Sequence, residues 1–91
     1  MPFLWRIKPS NRFESSYNRL SDEIVHQVDD AIKTLLEAER PERFGILKKG
    51  ARKDYFAWEL GRSCRFLYVP DYNEKVIELF RVCSHKEVYG P

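Results

Sequence analysis

The 91-residue sequence has no run of 18 apolar residues, which excludes a transmembrane helix. It has no internal repeat and no low-complexity segment, so a repeat architecture does not fit. Cysteine is scarce. Cys64 and Cys83 match no metal-ligand spacing, and the expectation is two free, packed thiols in a reducing cytoplasm. The opening stretch MPFLWRIKPS is too short and too charged to read as a secretory signal. A dominant charge sign is also lacking: 16 basic against 14 acidic residues leave +2, which names no partner.

What is present suits one small globular domain spanning residues 1–91, with 43% hydrophobic and 33% charged residues and a single modest core. Charge is balanced over residues 1–42. Residues 43–65 instead hold seven basic side chains against Asp54 and Glu59, an excess of five.

Hydrophobic spacing supplies the elements. FLWRIK (Phe3 to Lys8) is aromatic and β-branched and reads as a strand stopped by Pro9. Asn11 followed by Glu14 resembles a capping box, and Phe13, Tyr17 and Leu20 share a helical face. Ser21 caps a longer helix with Asp22 and Glu23 in its first turn. The stripe Ile24, Val25, Val28, Ala31, Ile32, Leu35 and Leu36 runs along that helix until Arg40-Pro41 ends it. His26 lies off the stripe. PERFGILKKGARKD reads as a basic loop punctuated by Gly45 and Gly50.

Three strands follow. In YFAWEL, Phe56, Trp58 and Leu60 alternate with Tyr55, Ala57 and Glu59. In CRFLYV, Phe66 and Tyr68 alternate with Arg65, Leu67 and Val69, and VIELFRVC closes the meander. The helical stripe must bury against this meander, which gives an α+β two-layer fold: an N-terminal strand, a helical hairpin, then a three-strand antiparallel sheet. The other face of the sheet stays open and partly polar.

That open face would carry Arg65 and Glu59, with Arg81 on the last strand and His85 and Tyr89 just beyond it. The lysine-rich loop Lys48, Lys49, Arg52 and Lys53 would rim it. A basic, partly aromatic concave surface is an electrostatic footprint for nucleic acid. Histidine moves protons near neutral pH, arginine clamps a pentavalent phosphate, and tyrosine stacks on a splayed base. Those are the parts needed to cleave RNA through its own 2′-OH. Each residue also has an ordinary role open to it. Arg65 can pair with Glu59, Tyr89 can close the core, and the lysines can be solvated.

The run LKKG, then CRFLY, then a hydrophobic strand ending in HKEVY resembles the C-terminal half of RelE/ParE-superfamily toxins, and the upstream strand and hairpin match that layout. The resemblance implies the toxin of a type II toxin–antitoxin system. In its RNA-cleaving branch such a toxin enters the ribosomal A site in the cytoplasm and cuts mRNA, leaving a 2′,3′-cyclic phosphate, with no cofactor and no metal. It implies a cognate RelB-like antitoxin, a toxin–antitoxin hetero-oligomer and no membrane. Carried over by position, Arg65 stabilises phosphate charge, His85 is a general acid or base, and Tyr89 stacks on a base or orients the 2′-OH. Lys48, Lys49, Arg52 and Lys53 hold phosphates, and Arg81 is a further candidate for the scissile phosphate. RelE itself carries lysines where this chain has Ala57 and Glu59, and the loop glutamate of YoeB has no equivalent near Phe44-Gly45. The general base is therefore open between Glu59 and His85. The alternative from the same resemblance is a ParE-like gyrase inhibitor or a catalytically silent, antitoxin-binding member.

Overall fold

The computed structural model describes residues 4–50, 53–61 and 64–83. β1 (Arg6–Pro9) leads into α1 (Asn11–Tyr17) and α2 (Asp22–Glu37). A 3-10 turn (Pro41–Phe44) then precedes β2 (Ile46–Lys48), β3 (Tyr55–Glu59), β4 (Arg65–Asp71) and β5 (Val76–Val82). The strands form one sheet in the order β1-β5-β4-β3-β2. β1 runs parallel to β5, and every other pairing is antiparallel. This is the expected α+β two-layer arrangement with a larger sheet than the meander alone.

The helical stripe does what its spacing dictates. Val28, Ala31 and Leu35 of α2 and Phe13 of α1 are buried against Phe66, Tyr68, Ile77, Leu79 and Val82 of the sheet. Phe66, Tyr68, Leu35 and Ile77 are among the largest fully buried side chains. Removing one such aromatic to alanine costs about 3–5 kcal/mol. Ser21 caps α2 as expected, its Oγ accepting from the Ile24 N–H. The helix stops at Glu37, before Arg40-Pro41. There the Trp5 indole donates to the Ala38 carbonyl at 2.7 Å and ties the start of the sheet to the end of α2.

Four expectations need correction. The cap of α1 is Ser10, not Asn11: its Oγ accepts from the Phe13 N–H at 3.0 Å. The segment expected as a basic loop contains β2, which pairs Ile46, Leu47 and Lys48 with Ala57, Phe56 and Tyr55. The buried Tyr68 hydroxyl fixes that segment by donating to the Pro41 carbonyl at 2.6 Å, and burial pushes its phenol pKa up. Gly45 permits the approach, since a Cβ there would lie 3.0 Å from the Tyr68 hydroxyl and 3.1 Å from Phe56 Cβ. The first strand begins at Arg6 and includes Pro9, which is tolerated because β1 is an edge strand.

The fourth correction concerns the cysteines, which are not free thiols. Cys64 and Cys83 form a disulfide across 19 residues. Register brings them together. Phe66 pairs with Val82, and just past that pair the Cys83 N–H donates to the Arg65 carbonyl at 2.7 Å. Cys83 adopts φ 56°, a left-handed conformation that re-aims its side chain toward Cys64.

Candidate functional site

With Phe66, Tyr68, Ile77, Leu79 and Val82 buried under the helices, alternation sends their neighbours to the other face. Glu59 and Arg65 are cross-strand partners there, as expected. Their side chains meet at 3.4 Å between Arg65 Nε and Glu59 Oε2, and both are largely exposed. Leu67 lies two residues further along β4 on the same face.

Arg81 reaches this face for a different reason. Strict alternation from Ile77 and Leu79 would turn it under the helices. Leu67 pairs with Arg81, however, while Tyr68 pairs with Leu79, so Phe80 is an extra residue on β5. This β-bulge returns Arg81 to the open face beside Leu67. Ser10 stabilises the bulge, donating through Oγ to the Phe80 carbonyl at 2.8 Å, and its N–H donates to the Leu79 carbonyl at 2.9 Å. The same residue that caps α1 thus docks the helix onto β5.

The result is a groove of about 640 Å³ between α1 and the sheet. Its floor is Tyr55, Leu67 and Phe80, and its walls carry Arg12 and Arg81. Ion pairs among the described residues join Lys49 to Asp54, Lys53 to Glu78 and Arg65 to Glu59, and neither Arg12 nor Arg81 enters one of them. An apolar, aromatic floor beneath two guanidinium groups suits an anion attached to a flat ring.

The lysines fall out differently from one another. Lys48 lies opposite Tyr55 on the open face. Lys49 is held by Asp54 at 3.3 Å. Lys53 reaches across the sheet to Glu78 at 3.1 Å and sits 5.9 Å from the Phe80 ring centre. Lys53 therefore approaches the Phe80 side of the groove, and both Lys49 and Lys53 are already answered by carboxylates. Arg52, His85 and Tyr89 lie outside the described residues. No group of three or more His, Cys, Asp or Glu side chains that could hold a metal occurs among the described residues.

Sequence reasoning did not bring Arg12, Tyr55 and Phe80 together, as the groove does. Balanced charge over residues 1–42 concealed that Arg12, Ser15 and Arg19 recur at helical spacing on one face of the first helical segment, a signal that was there to be counted.

A second, apolar depression of about 440 Å³ lies on the helical side. Ile7, Phe13, Tyr17, Ile32 and Leu36 line it together with the charged Asp29 and Lys33, and the exposed Leu4 is tied to Leu36 through its N–H. Tyr17 donates to Asp29 at 2.7 Å across the hairpin, and that bond is the main reason its phenol pKa is raised.

No family model and no curated protein matches the sequence. Solved structures do resemble it. The toxin–antitoxin complex RelBE2 from Mycobacterium tuberculosis superposes with a TM-score of 0.70 at 19% identity, over 90% of this chain and 96% of that one. The intact RelBE toxin–antitoxin complex of E. coli gives 0.69 at 19% identity, over 86% and 93%. The archaeal RelE–RelB complex of Pyrococcus horikoshii gives 0.66 at 22% identity, over 87% and 92%. The architecture of this chain is therefore a RelE-like fold.

Proposed function

We propose that the chain is the toxin of a type II toxin–antitoxin system and cleaves mRNA in the ribosomal A site. The observation that carries this is the placement of Arg65 and Arg81 on one open face of adjacent strands, beside an aromatic groove, in a RelE-like fold. In the reaction the ribose 2′-oxygen bonds to phosphorus and the P–O5′ bond breaks, giving a 2′,3′-cyclic phosphate and a 5′-hydroxyl. Arg81 and Arg65 hold the charge that builds on the phosphoryl oxygens. Glu59 or His85 takes the 2′-OH proton, and a proton is returned to the 5′-oxygen as it leaves. Lys48, Lys53 and Arg52 attract the RNA backbone, and Tyr89 stacks on a base. The apolar depression along Ile7, Ile32 and Leu36 suits a RelB-like antitoxin segment that folds as it binds.

The test is induced expression with mapping of mRNA 5′ ends on ribosomes, for wild type, Arg81→Ala, His85→Ala and Glu59→Gln. In-frame cuts that vanish with Arg81→Ala support the reading, and the other two variants identify the base. Growth arrest with intact mRNA and DNA-damage signalling would replace it with gyrase inhibition.

One observation favours a second reading, a catalytically silent antitoxin-binding protein. Glu59 already answers Arg65, on a strand that carries Ala57 where RelE has lysine. Tight antitoxin binding with neither arrest nor cuts would establish it.

A further inference from the structure

A smaller depression of about 270 Å³ adjoins the groove on the α1 side, lined by Asn11, Arg12, Ser15, Ser16, Arg19 and Arg81. It shares Asn11, Arg12 and Arg81 with the larger one, so the two form one channel with Arg12 and Arg81 at the junction. Their linings differ in kind. The larger has the aromatic floor of Tyr55 and Phe80. The smaller has hydroxyls, an amide and guanidinium groups. Among the described residues no carboxylate lines either.

A purely solvated helix face would look different. Ser16 is buried, and Ser10 pins the start of the helix to the β5 bulge, so this wall is fixed relative to Arg81. Arg12 is exposed and comes from α1, while Arg81 comes from the sheet. Guanidinium groups from two different elements lining one depression, together with hydroxyl and amide groups, match a phosphodiester.

We propose that the channel between α1 and β5 is a backbone-phosphate site in which Arg12 and Arg81 grip the phosphodiester next to the nucleotide seated over Tyr55, Leu67 and Phe80. The ligand class is single-stranded nucleic acid. The site deepens the proposed function and rests on its assignment of the larger groove to RNA. It assigns α1 a substrate-binding role that no residue of the RelE/ParE resemblance supplies.

The test is fluorescence anisotropy with a 5′-fluorescein-labelled 2′-O-methyl RNA pentanucleotide, which binds but cannot be cleaved, across 50–200 mM salt. Arg12→Gln is expected to weaken binding about tenfold, the loss of one charged hydrogen-bonding contact. The slope of log K against log salt should become shallower by about 0.7, the share of one phosphate on a single strand. Arg12→Lys should keep the wild-type slope, and both variants should keep the wild-type melting temperature. Unchanged affinity and slope in Arg12→Gln would overturn the site, as would a wild type that binds no oligonucleotide at any salt. Mapping of mRNA ends in cells separates the two claims. Cuts with Arg12-independent binding remove only this site. Arg12-dependent binding without cuts removes the nuclease and leaves a polyanion channel.

Discussion

Ser10 and Phe80, seventy residues apart, are joined by a 2.8 Å hydrogen bond from the Ser10 hydroxyl to the Phe80 carbonyl. The bond sits where α1 begins and where β5 bulges, and it sets the distance between the two walls of the groove. Ser10→Ala removes a helix cap worth about 1 kcal/mol. It also leaves a part-buried carbonyl without its partner, a loss of about 1–3 kcal/mol. Urea denaturation should show a clear fall in stability. At a urea-free temperature where the variant is folded, RNA binding should still be weaker, because α1 is no longer held against β5. Normal binding in a destabilised variant would show that the docking bond does not shape the groove.

Arg65 and Glu59 form an exposed pair, so breaking it should barely affect folding. Glu59→Ala is expected to change stability by less than about 1 kcal/mol. Its effect on RNA should be larger, because it releases Arg65. Stronger oligonucleotide binding together with lost cleavage would mark Glu59 as the base. Stronger binding with cleavage retained would pass that role to His85.

The Cys64–Cys83 bond closes a loop of 19 residues. Cross-linking a loop of that size stabilises a fold by about 3 kcal/mol in the chain-entropy account. Thermal melts with and without dithiothreitol should differ accordingly, and the Cys64→Ser, Cys83→Ser double variant should melt with the reduced protein whether or not reductant is present. In a reducing cytoplasm the dithiol form is expected, with the lower stability. An identical melt in both conditions would mean that packing alone holds β4 to β5 at this end.

Tyr72 gives a pH prediction. Its hydroxyl donates to Glu42, and its ring meets Trp5 edge-on. Desolvation first, then the Glu42 hydrogen bond and charge, push its pKa up to about 12. A raised phenol pKa means stability that is complete below the ordinary value near 10 and lost as pH climbs toward 12. Tyr72→Phe should therefore flatten the fall in melting temperature between about pH 10 and 12. An unchanged slope would assign that fall to other groups, such as Tyr68.

Local periodicity was enough for α2, for β3, for β4 up to Val69, and for the facing of Glu59 and Arg65. These depend on side chains a few residues apart. β4 runs on through Pro70 and Asp71, which Pro70 is expected to prevent. What escaped depends on pairing at long range. β2 is three residues long and is a strand only because β3 lies beside it. The disulfide follows from the β4–β5 register, which no spacing of two cysteines encodes. The sequence reading puts Arg81 on the open face, yet counting by twos from Leu79 would bury it. The bulge at Phe80 breaks the count, and Ser10, far away in sequence, helps to hold it. The expected roles of Arg52, His85 and Tyr89 lie outside the described residues.

The sheet order has a consequence for biosynthesis. β5, the last of the five strands to be translated, lies between β1 and β4. While residues 76–82 are still inside the ribosome, β1 has no neighbour and Ser10 has no carbonyl to meet. Such non-local pairings form late and slowly. The two halves of the groove, from residues 10–12 and 80–81, therefore cannot meet on a half-made chain. If the groove cuts messenger RNA, the nascent protein is harmless to the message that encodes it until residues 76–82 have emerged.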